Sequence, residues 1–141
     1  IGFCGAHPEF IRVLTNIQSQ STTNPCSIAQ AAAIAALNGD NNIVLNFRDI
    51  FEKRLRLFVD ALSSTKLKAD MPQGAFYVFV DVSAYNKDDV AFAEALLKDY
   101  YVAVVPGSSF GSPGCVRISC ADSEETLLAA AEAIKKFVSS Q

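Results

Sequence analysis

Hydrophobic and polar positions follow mostly helical spacing through the first sixty residues of the chain, and from Gly74 strand-like runs alternate with helices. The first six residues, IGFCGA, read as the middle of a buried strand. His7-Pro8-Glu9 then marks a helix start, with proline tolerated in the first turn, an acid favoured there and His7 as the capping residue. Phe10, Val13, Leu14 and Ile17 continue it as an apolar stripe. SQSTTNP (Ser19 to Pro25) is a polar loop, and Asn24-Pro25 opens a second helix, CSIAQAAAIAALNG, which stops at Asn38-Gly39. A longer helix runs from Asn41 to Leu62, with Val44, Phe47, Phe51, Leu55, Phe58 and Leu62 every three or four positions and Arg48, Glu52, Lys53 and Arg56 on other faces. At about 1.5 Å per residue it is roughly 30 Å long, enough to link two domains.

GAFYVFVDV (Gly74 to Val82) is a continuous aromatic and β-branched run, hence a strand. Asp88-Asp89 open a helix carrying Ala93, Leu96, Leu97 and Tyr100. VAVVP and CVRISCA are two further strands, and the last helix, DSEETLLAAAEAIKKFV, takes Asp122 or Ser123 as its N-cap. Lys135 and Lys136 complement the dipole at its far end. The order from Gly74 is strand, helix, strand, strand, helix, which is a small α+β unit with its helices on one face of the sheet. No internal repeat interrupts it.

Composition narrows the function. Half the residues are hydrophobic and 19% are charged, so the chain is not disordered. A net charge of −3 with acids and bases interspersed gives no reason to expect nucleic acid or an anionic membrane surface as partner. Val13 to Gly39 lacks charge, but its longest purely apolar piece is AAAIAAL, far below the roughly 20 residues of a membrane span. IGFCGA has no charged leader and no cleavage pattern, and no targeting segment is visible, so a cytoplasmic location is the default. The cysteines Cys4, Cys26, Cys115 and Cys120 show no CxxC pair and no histidine-rich neighbourhood. They read as small buried thiols, with no metal site expected.

Candidate chemistry centres on VVPGSSFGSPGCVRISCA (Val104 to Ala121). On its strand, Val116, Ile118 and Cys120 share one face, and Arg117 and Ser119 share the other. Two readings stand for Arg117: an arginine on the solvated face of a half-buried sheet, which is the commoner case, or a guanidinium fixed at the mouth of a site. In the second it grips a carboxylate through two parallel hydrogen bonds, a fork that lysine does not reproduce. PGSSFGSPG has the Gly/Ser content of a phosphate cradle, but it leads into a strand and lacks the GxxxxGKS/T pattern, so it reads as a connecting loop. His7, the only histidine, has no nucleophile and orienting acid to work with. Asp122, Glu124 and Glu125 read as helix-start acids, and no lysine, Lys53, Lys135 and Lys136 included, sits in a desolvated setting fit for a Schiff base.

Four segments, in order, resemble the class I aminotransferases, the pyridoxal-phosphate enzymes that include aspartate aminotransferase. They are QSQSTTNPCSIAQAAAIAAL (Gln18 to Leu37), PQGAFYVFVDVSAY (Pro72 to Tyr85), VAVVPGSSFG (Val102 to Gly111) and VRISCADSEE (Val116 to Glu125). The likeness points to the bacterial-type aspartate aminotransferase branch. It implies the fold type I of these enzymes, α/β with an α+β small domain. Residues 1–40 would then end the large cofactor domain, and residues 41–141 would form the linking helix and small domain. Arg117 becomes the arginine that binds the substrate α-carboxylate, and Phe76 an aromatic wall of the same site. Thr22 and Asn24 fall in a loop that crosses a homodimer interface toward the partner's active site. The reaction implied is amino-group transfer between an L-amino acid, aspartate first, and a 2-oxo acid through pyridoxal 5'-phosphate.

The same resemblance implies what this stretch does not carry. In the family, the Schiff-base lysine and an arginine that holds the cofactor phosphate lie just before the segment matching Ile1-Gly2-Phe3. The chain therefore looks like a C-terminal portion that binds no cofactor and is inactive in isolation. The alternative is an autonomous, non-catalytic α+β ligand-binding or interaction module. The two diverge on one point: a portion of a larger enzyme should expose apolar surface around Phe3, Ile28 and Ile34. A metal or redox role for the cysteines finds no supporting spacing.

Overall fold

The computed structural model describes residues 1–140 and divides the chain into two compact units, Ile1–Ile43 and Val44–Gln141. In the first unit, α1 (Pro8–Ser21) and α2 (Ser27–Leu37) form where the periodicity places them. The helix α1 runs on through Ser21, so the polar loop begins at Thr22 and not at Ser19. The hydroxyls of Ser19 and Ser21 donate to the carbonyls of Asn16 (2.8 Å) and Gln18 (3.3 Å), a back-bonding that lets serine continue a helix. His7 occupies the N-cap position, but its side chain makes no capping hydrogen bond. Its carbonyl oxygen alone serves the helix, accepting from the amides of Phe10 and Ile11.

Three further expectations fail in this unit, for one physical reason. Ile1 to Ala6 forms no strand and is exposed. The α1 stripe stays open, with Phe10, Val13 and Ile17 all more than half exposed. Cys4 and Cys26 are likewise exposed, and only Cys120 is a fully buried thiol. An apolar face needs a partner surface to be buried, and in these 43 residues no side chain reaches full burial. The exposure of Phe3 (88%), Ile28 (79%) and Ile34 (61%) is the pattern expected of part of a larger protein.

The second unit has a complete core. Most of α3 (Asn42–Leu62) lies in it, followed by β1 (Lys68–Ala69), β2 (Tyr77–Asp81), α4 (Asp89–Tyr100), β3 (Val105–Pro106), β4 (Cys115–Ser119) and α5 (Glu124–Ser139). The strands pair antiparallel throughout in the order β1-β2-β4-β3, so β4 is an inner strand. Val78 stands opposite Ile118 and Val80 opposite Val116, and all four are buried. Leu55, Phe58 and Leu62 of α3, Phe92 and Leu96 of α4, and Leu127, Ile134 and Phe137 of α5 join them in one cluster. The helices thus cover a single face of the sheet, as the pattern implies. Full burial of side chains of this size contributes roughly 1.5–3 kcal/mol each.

Helix starts follow the acids. Asp88 caps α4 by accepting from the amides of Val90 (3.1 Å) and Ala91 (3.0 Å), and Ser123, not Asp122, caps α5 through the amide of Thr126. The strands are shorter than their apolar runs. Gly74 to Phe76 bends away from β2, with Ala75 at φ 60°, and of VAVVP only Val105 and Pro106 pair. The two-residue β1 leaves no sequence signature, being too short to show a period.

The cysteines give a chemical check. The amides of Ala29 and Ile28 at the start of α2 hold the Cys26 thiol below its ordinary pKa, whereas burial pushes Cys120 up to about 11. Brief treatment of the chain with a thiol reagent at pH 7–8 should modify Cys26 first and Cys4 next, leaving Cys120 untouched until the protein is unfolded. Mass mapping of the labelled sites reads the order, and early modification of Cys120 would contradict the packing.

Candidate functional site

Alternation along β4 turns Val116 and Ile118 into the core and Arg117 and Ser119 to the opposite, helix-free face. Register then sets the neighbours of Arg117: Phe79 on β2 and Val105 on β3 stand directly across from it. The guanidinium lies between two aromatic rings, with its Cζ 4.3 Å from the ring centre of Tyr77 and 4.1 Å from that of Phe110. Each cation–π contact contributes about 0.5–2 kcal/mol, depending on how well water is excluded. Two aromatic rings thus pack on the one cation. Among the described residues no carboxylate pairs with it and its side chain makes no hydrogen bond, whereas Arg48 and Arg56 each hold an acid. A half-buried guanidinium held by stacking and lacking an anion is suited to receive one.

The sandwich belongs to a longer aromatic row. Tyr77 packs on Phe76 (ring centres 4.4 Å apart), Phe76 on Phe51 of α3 (5.4 Å), and Phe79 meets Phe110 edge-on (6.0 Å). Phe76 also lines a cavity of about 510 Å³ together with Phe47, Phe51, Leu55, Met71 and Gly74. Neither Arg117 nor Tyr77 lines that cavity; Phe76 lines it, and Tyr77 packs on both Phe76 and Arg117. The geometry thus links Phe76 to Arg117 through one tyrosine. Thr22 and Asn24 lie in the first unit, in the turn after α1. There the amides of Thr22 and Thr23 both donate to the carbonyl of Gln18, Thr23 takes φ 64°, and both Thr22 and Asn24 are exposed.

The loop before β4 is built, not merely connecting. Gly107–Phe110 forms a 3-10 turn closed by the Ser112 amide on the Gly107 carbonyl (2.9 Å) and by Gly111 at φ 76°. Gly107 is obligatory: a Cβ there would stand 2.4 Å from the carbonyl oxygen of Ser112 and 2.7 Å from that of Cys115. The turn is tied to α4 by Asp89, the one buried charged side chain among the described residues, which accepts from the Ser108 amide at 2.6 Å. That amide bond, outweighing the opposing effect of burial, holds the Asp89 carboxyl below its ordinary pKa.

Tyr77, Phe110 and Asp89 escape the sequence pattern. The signal for Phe110 is an aromatic residue set inside a Gly/Ser loop; for Asp89 it is a second acid behind a capping Asp88. Tyr77 has no signal short of the register.

Comparison with known proteins agrees with this architecture. Residues 1–134 match the family described as aminotransferase class I and II. The aspartate/prephenate aminotransferase of Nitrosomonas europaea is 41% identical over 99% of this chain and 37% of its own length. The aspartate aminotransferase of Bacillus subtilis is 42% identical over 98% of this chain and 37% of its own length. Among solved structures, the aromatic aminotransferase of Pyrococcus horikoshii superposes with a TM-score of 0.89 at 32% identity, covering 96% of this chain and 37% of that one. The Rhizobium meliloti aspartate aminotransferase gives 0.85 at 37% identity, covering 93% and 36%. The fold is that of the C-terminal α/β portion of a fold type I transferase. The chain belongs to the class I and II aminotransferases. It spans a little over a third of the length of the curated relatives it matches.

Asp89 supplies a pH test of the loop. Its folded pKa is depressed, so its contribution to stability is fully present above the unfolded value of about 4 and is lost as pH falls through the lower folded value. Asp89→Asn should therefore lower the melting temperature at pH 7, and the gap to the unchanged protein should narrow steadily below pH 4. A gap that persists at pH 2 would show that the charge is not what holds Ser108.

Proposed function

We propose that this chain is the substrate-carboxylate-binding part of an aminotransferase, with Arg117 as the group that receives the α-carboxylate of an L-amino acid and of the product 2-oxo acid. The observation that carries the reading is the guanidinium of Arg117, packed against the rings of Tyr77 and Phe110 and free of any acid among the described residues. A carboxylate approaching in the guanidinium plane meets two parallel N–H donors, and charge-assisted bonds of this kind contribute roughly 1.5–3 kcal/mol each. Fixing one end of the substrate in this way orients its Cα for reaction. Phe76 serves as an aromatic wall behind Tyr77, and Thr22 and Asn24 serve a homodimer contact in the full-length protein. Aspartate is the favoured substrate because curated relatives carry that name. A cytoplasmic location belongs to the same proposal. Among the described residues no helix is long and apolar enough to cross a membrane.

The family implies pyridoxal 5'-phosphate, which supplies the electron sink for amino-group transfer. This chain does not fit it as a holder. A Schiff-base lysine must be shielded from water, and no lysine among the described residues is buried. No step through the cofactor is therefore assigned to these residues, and the 141-residue chain alone should show no turnover of aspartate with 2-oxoglutarate. The competing view of an autonomous binding module is disfavoured by the exposed Phe3, Ile28 and Ile34, which such a module has no reason to keep.

In the full-length protein, Arg117→Ala should lower kcat/KM for aspartate by roughly 10²–10⁴-fold, the equivalent of two charge-assisted hydrogen bonds. Arg117→Lys keeps the charge without the fork and should fall between. Steady-state kinetics with aspartate and 2-oxoglutarate decide it; unchanged kcat/KM in the alanine variant would end the assignment.

A further inference from the structure

We infer that Asp89, remote in sequence from Arg117 and out of contact with it, is a positioning residue for substrate binding: it holds the turn that keeps the Phe110 ring against the Arg117 guanidinium. The inference rests on the carboxylate-binding reading of Arg117. A buried carboxylate is costly unless its oxygens are satisfied, and no cation pairs with Asp89 among the described residues. What satisfies it is backbone, the Ser108 amide at 2.6 Å. Ser108 lies within the turn Gly107–Phe110, two positions before Phe110, so the carboxylate grips the segment that carries the ring.

The rest of the turn has little freedom. Gly107 is wedged against two carbonyl oxygens and the Gly111 amide closes on the Ser108 carbonyl at 3.2 Å, so a shift at Ser108 moves the turn as a body. Phe110, two residues beyond the anchored amide, is nearly half exposed, and among the described residues its aromatic and cation–π partners are Phe79 and Arg117. Its ring therefore stays over the guanidinium only as long as the turn does. The other ring, Tyr77, belongs to β2 and is fixed by the sheet ladder. One half of the sandwich is thus set by strand register and the other by Asp89.

Asp89 also stands at the first position of α4, next to the capping Asp88, and an acid there needs no functional explanation. A purely structural role and a positioning role separate in a double-mutant cycle carried out in the full-length protein. Asp89→Ala should raise KM for aspartate about tenfold with kcat held within about twofold, the effect of one lost hydrogen bond relayed through the turn. Phe110→Ala should raise it comparably, and the double variant should be no worse than Phe110→Ala alone to within about twofold, because the carboxylate then has no ring left to place. Additive effects, or an unchanged KM in Asp89→Ala, would overturn the inference. If Asp89→Ala does not fold, Asp89→Asn, which keeps an acceptor oxygen for Ser108, takes its place in the cycle. Its single effect should be smaller, and additivity with Phe110→Ala or an unchanged KM would again overturn the inference. Arg117→Ala is measured alongside. Should it leave KM unchanged, the carboxylate reading falls and this inference with it; should it raise KM while the cycle is additive, only the role of Asp89 falls.

Discussion

The register of β2 against β4 is the constraint on which the second unit depends. With Val78 across from Ile118 and Val80 across from Val116, the β2–β4 pairs on one face of the sheet are all branched aliphatics, and three helices close over it. The same register sets Phe79 beside Arg117 on the other face. Side-chain period in a strand is two, so a slip of one residue would carry Arg117 into the core and the valines into water. An unpaired buried guanidinium is far costlier than any gain such a slip offers. The core therefore holds the arginine at the surface, and the arginine helps specify the register of the core.

What the sequence made legible follows from how local the information is. Periods of 3.6 and 2 marked the helices and the longer strands, and capping acids marked their starts, because each depends on residues a few positions apart. The facing of Arg117 against Val116 and Ile118 was legible on the same ground. The aromatic sandwich was not, because Tyr77, Phe110 and Arg117 come from three segments and meet only once the strands are aligned. The resemblance to a known family singled out Arg117 and Phe76, but not the tyrosine between them. Nor did the pattern show that a Gly/Ser loop held a 3-10 turn anchored by a buried acid. The anchoring contact spans nineteen positions.

The first unit shows the converse limit. Its helices form where the pattern puts them, yet the apolar stripe of α1 and the strand expected of Ile1 to Ala6 find nothing to pack against. Periodicity reports which face of an element seeks burial and is silent on where the covering surface comes from. Local propensity suffices for the helices because their backbone bonds are internal. A strand has no such option, since its hydrogen bonds lie with neighbours. That asymmetry explains why the helix expectations near the start survive while the strand expectation fails.

The surroundings of Arg117 also explain why the residue must be arginine. Two rings about 4 Å away form a slot that suits a planar cation able to stack on them. A guanidinium fills the slot and still presents N–H donors along its edge, whereas an ammonium is tetrahedral, strongly hydrated and aims its donors in all directions. The stacking thus turns a flexible side chain into a fixed fork whose orientation is settled before a ligand arrives. Pre-organisation of this kind spares the side-chain ordering that binding otherwise costs. Specificity for a flat, two-oxygen anion then arises from the walls as much as from the charge.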